Sequence, residues 1–126
     1  MNIKEILAIG CGGFIGAISR YFFSGWIQNI IKKPFPYGTM GVNVLGSLIL
    51  GILMGITLNT NVSPYWKLSI GIGFLGAFTT FSTFSYETMM LMRAGAVLEV
   101  FMNIATSILL GLIAVFIGYR IGNTII

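Results

Sequence analysis

Long stretches without a charged residue constrain the fold of this chain more than any single motif does. Of its 126 residues, seven are basic and three acidic. No charge falls between Lys33 and Lys67, between Lys67 and Glu87, or between Glu99 and Arg120. Residues 6–31 hold only Arg20. A water-soluble chain of this size is roughly one-quarter charged, whereas this one is 8% charged and 56% hydrophobic. Each stretch offers the ~20 residues a helix needs to cross a ~30 Å hydrocarbon layer. The expected fold class is an all-α integral membrane protein with four transmembrane helices, spans near 5–31, 36–58, 67–92 and 98–121.

These spans occupy most of the chain, so residues 1–126 read as a single four-helix transmembrane domain. Breakers separate the spans: Lys32-Lys33-Pro34-Phe35-Pro36, then Asn59 to Pro64, then Arg93-Ala94-Gly95. Tyr37, Tyr65, Trp66 and Tyr119 fall near the expected ends, where aromatic belts form. Lys4, the apolar run after it and Ala17-Ile18-Ser19 superficially suggest a signal peptide. Glu5 weakens that reading, and cleavage would discard glycines and an arginine that suit the other spans.

The excess of positive charge is scattered rather than clustered, which argues against a nucleic-acid partner. Cys11 is the only cysteine and is expected to pack as a small apolar residue. With no histidine and one cysteine, a zinc or haem site lacks a ligand set. No nucleophile–base pair is evident, so the chain does not read as an enzyme.

Loop charges bear on orientation. With four spans, the amino terminus, middle loop and carboxy terminus share one side and carry Lys4, Lys67 and Arg120. The opposite side carries Lys32, Lys33 and Arg93. Lys/Arg bias orients membrane proteins, and here it is three against three. Either a span boundary hides a bias, or the chain inserts both ways and pairs with an inverted copy. The second is the expectation, since homodimers are the commonest assembly.

Small residues recur at helical intervals: Gly12 and Gly16 in the first span, Ser47, Gly51 and Gly55 in the second. Asn103, Ser107, Gly111, Ala114 and Gly118 follow one face of the fourth. Such faces let helix backbones approach closely in lipid, and packing alone accounts for most of the glycines. Gly71-x-Gly73-x-x-Gly76 matches a dinucleotide fingerprint formally but lies within an apolar span with no preceding strand, so that reading fails.

The densest signal is the run Gly76-Ala77-Phe78-Thr79-Thr80-Phe81-Ser82-Thr83-Phe84-Ser85 at mid-membrane depth. Hydroxyls in a continuous helix can bond back to the i−4 carbonyl, giving at most a slight bend. Five hydroxyls in seven residues after three glycines instead predict a third helix broken near the midplane. Such a break exposes carbonyls at one half-helix end and amides at the other, and these ends favour a cation and an anion respectively. Asn43 is the one amide deep in the second span; it either bonds across helices or lines a polar path, the latter being preferred. Phe81 and Phe84 lie three apart on one face, and aromatic ring edges are electropositive. An amide, hydroxyls and ring edges without a midplane acid suit an anion. Arg20 either draws anions into a vestibule or braces the fold through loop carbonyls. Glu87 is expected to cap the polar segment or pair with a basic residue.

These residues together resemble the fluoride channel family, also called the CrcB or Fluc family. The resemblance rests on residues 12–21 (GGFIGAISRY), on Gly38-Thr39 with Asn43 and Gly46, and on the 76–85 run. It implies an antiparallel dual-topology homodimer in a prokaryotic cell membrane with two fluoride pores, passively exporting fluoride and limiting its toxicity. By this resemblance Asn43, Phe81 and Phe84 are pore-lining, the phenylalanines being contributed across the dimer. Ser82, Thr83 and Ser107 line the path, with Thr80 and Ser85 elsewhere on the polar track. The resemblance also implies a structural sodium ion at the dimer centre on backbone carbonyls of Gly76 and Thr79, with Ala77 a further candidate. Ala77 stands where the family often has glycine, and a matching fourth-span tyrosine is not evident. The nearest rival, a proton-coupled small multidrug exporter, needs a carboxylate deep in the membrane that this chain does not offer.

Overall fold

The computed structural model describes residues 2–125 and consists of helices. We number them α1 (Ile3–Ile31), α2 (Tyr37–Asn59), α3 (64–78), α4 (Phe81–Arg93) and α5 (Val97–Thr124). Helices α3 and α4 are the two halves of the third span. The four spans, Ile3–Ile31, Tyr37–Leu58, Pro64–Arg93 and Val97–Thr124, are each long and apolar enough to cross a membrane. They lie within three residues of the sequence-based boundaries.

Helix α1 begins at a reciprocal cap. Asn2 Oδ1 accepts from the Lys4 and Glu5 amides at 2.8 and 3.1 Å, and the Asn2 amide donates to Glu5 Oε2 at 2.9 Å. This satisfies amides that a helix start otherwise leaves open. The helix runs unbroken through Ala17-Ile18-Ser19 and stops where Lys32 turns left-handed, at φ 51°. The Gln28 side chain then holds the turn: it donates to the carbonyls of Lys33 and Phe35, at 2.7 and 3.1 Å, and accepts from the Gly38 amide at 3.0 Å.

Backbone contact through glycine builds the bundle. A Cβ on Gly51 or Gly55 would strike the Val115 or Tyr119 carbonyl, and one on Gly118 or Gly122 would strike the Leu48 or Ile52 carbonyl. Helices α2 and α5 therefore interlock along glycines on both sides. Gly12 and Gly16 do the same for α1 against Ser69 and Phe74 of α3, and Gly73 of α3 faces the Ile9 carbonyl. Close approach of this kind substitutes for hydrophobic collapse, which lipid does not drive.

The side-chain core is correspondingly thin. Val42, Leu75, Phe78, Val100 and Ala114 are buried, while Phe14, Tyr21, Phe22, Leu98, Phe101 and Phe116 stand outward. An apolar exterior is what a lipid solvent permits. Cys11 also lies exposed on α1, contrary to its expected packed position. Its helix presents Gly12 and Gly16, rather than Cys11, to α3.

The third span departs from a regular helix twice. Residues Lys67–Leu75 form a π-helix, which the sequence reading did not anticipate, flanked by single α-turns at Pro64–Trp66 and Gly76–Phe78. The chain then leaves helical geometry at Thr79 (φ −85°, ψ 156°) and Thr80 (φ −150°, ψ 118°) before α4 begins. The expected break is thus confined to two threonines.

Candidate ion pathway

The break is closed by side chains rather than left open. At the end of α3, the Leu75 carbonyl accepts both the amide and the hydroxyl of Thr79, at 3.0 and 2.8 Å. At the start of α4, Thr80 serves as N-cap: its Oγ1 accepts from the Thr83 amide at 3.2 Å and donates to Thr83 Oγ1 at 3.0 Å. Ser82 Oγ lies 3.3 Å from the same oxygen. Threonine suits this role because its hydroxyl satisfies an amide that the first turn leaves without a partner.

Helix α2 supplies the remaining partners. Asn43 Oδ1 accepts from the Thr80 amide at 2.7 Å, and Asn43 Nδ2 donates to the Thr80 carbonyl at 3.0 Å. In a continuous helix the Thr80 amide would bond to the Gly76 carbonyl. Asn43 takes that amide, so the Gly76 carbonyl loses its helical partner. Gly46, one turn along α2, leaves room for the kink, since a Cβ there would strike the Thr79 methyl and press on the Phe78 ring.

A cavity of 370 Å³ opens beside the break. It gathers Asn43, Gly76, Thr79, Thr80, Phe81, Phe84 and Ser107 of the sequence-derived candidates, together with Ser47. Ser82, Thr83, Ser85, Ala77 and Arg20 do not line it. The Phe81 and Phe84 rings sit 5.7 Å apart, tilted by 39°. Phe81 is 79% exposed within the single chain, an unusual setting for a phenylalanine beside a polar break. No acidic side chain lines the cavity.

Several hydroxyls near the break are committed to their own helix. Ser85 donates to the Phe81 carbonyl at 2.9 Å, Ser47 to the Asn43 carbonyl at 2.7 Å, and Thr88 to the Phe84 carbonyl at 2.7 Å. Thr83 differs, because its oxygen accepts from Thr80 and leaves its own proton free to donate. The amide end of α4 adds electropositive character at the same place.

A second cavity, of 520 Å³, lies toward the α1–α2 turn and is lined by Ser24, Gln28, Thr39, Glu87 and apolar neighbours. Glu87 Oε1 accepts from the Thr39 hydroxyl at 2.9 Å. Its partner is therefore a hydroxyl rather than the base or polar-segment cap expected. Glu87 Oε2 is the one buried side-chain nitrogen or oxygen without a partner among the described residues. Arg20 is half-buried and makes no hydrogen bond or ion pair among the described residues.

Sequence reasoning missed Gln28 as the clamp of the first turn, although it is the only glutamine and sits at a span end. It also passed over Thr88 and treated Asn103 as one small polar member of a packing face. Asn103 is 1% exposed and donates to Thr88 Oγ1 at 2.9 Å. An amide inside an apolar span was the available signal, as it was for Asn43.

The chain is similar to known proteins along nearly its whole length. The family model described as CrcB-like protein, Camphor Resistance (CrcB), matches residues 7–119. The chain is 45% identical over 119 residues to the fluoride-specific ion channel FluC of Campylobacter lari, covering 94% of this chain and 98% of that one. It is 42% identical over 117 residues to FluC of Geotalea daltonii, covering 92% and 94%. It is 43% identical over 120 residues to FluC of the archaeon Pyrococcus horikoshii, covering 94% and 96%.

Proposed function

We infer the working assembly from one premise: this chain belongs to the CrcB/FluC fluoride-channel family. It is a multi-pass membrane channel for fluoride, not an enzyme. We propose that two copies assemble antiparallel, each inserted in the opposite sense, and enclose two pores through which fluoride leaves the cell passively.

The observation that carries this reading is the cavity at the break, where Asn43, Phe81, Phe84 and Ser107 meet without a carboxylate. A small anion can be met there by electropositive ring edges and hydroxyl donors. The proposed pore residues are Asn43, Phe81, Phe84, Ser82, Thr83 and Ser107, with Thr80 and Ser85 on the flanking polar track. Arg20, which has no hydrogen-bond or ion-pair partner among the described residues, is proposed as a vestibule charge.

Exposure supports the dimer. Helix α4 leaves Phe81, Tyr86, Met89 and Met92 uncovered, at 79, 61, 42 and 62%. An inverted partner would cover this face and bring its own Phe81 toward the neighbouring pathway. The balance of three basic residues on each side fits insertion in both senses.

The residues also fit a structural sodium ion. The Gly76 carbonyl loses its helical donor to Asn43, and a Cβ on Gly76 would meet nothing within 4 Å. Carbonyl oxygens at a half-helix end are hard, partly negative ligands suited to such a cation. Gly76 and Thr79, with Ala77 as a further candidate, would supply them at the dimer centre, and the ion would offset the negative half-helix ends meeting there.

The test is fluoride efflux from liposomes holding purified protein, with chloride as the paired control. Wild-type protein is expected to pass fluoride far faster than chloride; equal fluxes would defeat the selectivity. Phe81→Ile should lower fluoride flux by up to about tenfold, the scale of an aromatic-edge contact worth roughly 0.5–1.5 kcal/mol. Elution of Phe81→Ile in size exclusion as wild type would separate a loss of conduction from a loss of assembly. Wild-type flux in Phe81→Ile would remove the ring from the pathway.

A further inference from the structure

Three polar ties hold helix α4 and its N-cap to the rest of the chain. Thr80 is bound by Asn43, Glu87 by Thr39, and Thr88 by Asn103. The first two ties come from α2, and the third reaches across to α5. Asn103 and Thr88 line no part of the cavity, yet their hydrogen bonds lead to two residues that do.

The chain of bonds is continuous. Thr88 Oγ1 accepts from Asn103 Nδ2 at 2.9 Å and donates to the Phe84 carbonyl at 2.7 Å. On the other side, Asn103 Oδ1 accepts from the Ser107 hydroxyl at 3.4 Å. Phe84 and Ser107 thus stand at opposite ends of a buried polar clasp. Asn103 is 1% exposed and Thr88 8%, so neither water nor lipid competes for these groups.

Apolar residues would fill the same space without the desolvation penalty of two buried polar groups. What a hydrogen-bonded pair adds is direction: the carboxamide fixes the rotation and height of α4 against α5 more narrowly than methyl contacts do. Phe84 is one turn from Thr88, so its ring placement follows that of the threonine. The long bond to Ser107 acts differently. A 3.4 Å contact is weak, and the hydroxyl can turn its proton from Asn103 to an arriving anion with little loss.

We infer that Asn103 and Thr88 are positioning residues for the anion path, setting Phe84 through its backbone and parking the Ser107 proton. This rests on the pore reading of Phe84 and Ser107 given above.

The experiment compares wild type, Thr88→Val, Thr88→Ser and the double variant Thr88→Val/Asn103→Leu in liposomes, with elution in size exclusion as the assembly control. Valine keeps the shape of threonine without its hydroxyl, and serine keeps the hydroxyl. Thr88→Val should elute as wild type yet conduct fluoride about tenfold more slowly, the scale seen when a supporting hydrogen bond behind a site is lost. Thr88→Ser should restore the flux. The double variant removes both polar partners, which relieves the unpaired-group penalty, and should assemble but still conduct slowly. Wild-type flux in assembled Thr88→Val or in the assembled double variant overturns the inference. So does failure of both to assemble, because the clasp would then hold the fold rather than place the ring. Wild-type protein that passes no fluoride would instead defeat the channel reading itself.

Discussion

Asn43 binds both backbone groups of Thr80, accepting its amide at 2.7 Å and donating to its carbonyl at 3.0 Å. One side chain on α2 thereby replaces the helical acceptor that the break takes from the Thr80 amide and adds a second donor to the N-cap carbonyl. The same carboxamide borders the cavity, so the residue that closes the backbone also faces the proposed path. Structural bond and polar lining, which the sequence posed as alternatives for Asn43, coexist in one position.

Asn43→Leu should accordingly destabilise the protein as well as slow it. The buried Thr80 amide would lose its acceptor, at about 1–3 kcal/mol. The measurements are thermal denaturation in detergent and fluoride efflux. An unchanged transition would mean that the break is held by something other than this amide.

Gly118→Ala should loosen the bundle, because the added methyl would strike the Leu48 carbonyl on α2. Backbone cannot give as a flexible side chain does, and overpacking of this kind costs roughly 1–3 kcal/mol. Gly10→Ala is the control, since a Cβ there meets nothing within 4 Å. It should leave the protein as stable or slightly more so, alanine being the better helix former by about 1 kcal/mol. Equal behaviour of the two variants would argue against the α2–α5 glycine interlock.

Thr39→Val should expose how much Glu87 depends on its single hydroxyl partner. With Oε2 already unpartnered, loss of the Thr39 bond leaves the carboxyl group without any hydrogen bond from the described residues. The expected destabilisation is about 1–3 kcal/mol. Repeating the substitution in a Glu87→Leu background should abolish most of that effect, as a double-mutant cycle requires for coupled neighbours. Additive effects would show that the pair is not coupled.

Exchange of sodium for a bulky organic cation during purification should reduce assembly and flux together. An ion that binds only the assembled state stabilises it by RT ln(1 + [L]/Kd), so its removal withdraws that term. Full assembly and undiminished fluoride flux in sodium-free protein would exclude the proposed carbonyl site.

The four spans were legible in the sequence because membrane insertion follows local sums of transfer free energy. The charge gaps, with the breakers between them, put each boundary within three residues of the helix ends. The break was legible for a related reason: hydroxyls and glycines at 71–85 weaken helical backbone wherever they occur. The resemblance carried by 12–21 and 76–85 added the ion.

Tertiary structure decided which polar groups meet. Nothing local in the chain says that Asn43 must turn to Thr80, that Asn103 must reach Thr88, or that Glu87 must bind Thr39 rather than a base. Those pairings depend on how closely α2, α4 and α5 approach and at what rotation, which the glycine contacts set collectively. The π-helical turn of Lys67–Leu75 is of the same kind, since its backbone packs on Gly12 and Gly16 of another helix. The sequence by itself determined that the chain lives in lipid, where the third helix yields, and which family it resembles. Partner choice in hydrogen bonding is non-local and directional, so only the assembled bundle could decide it.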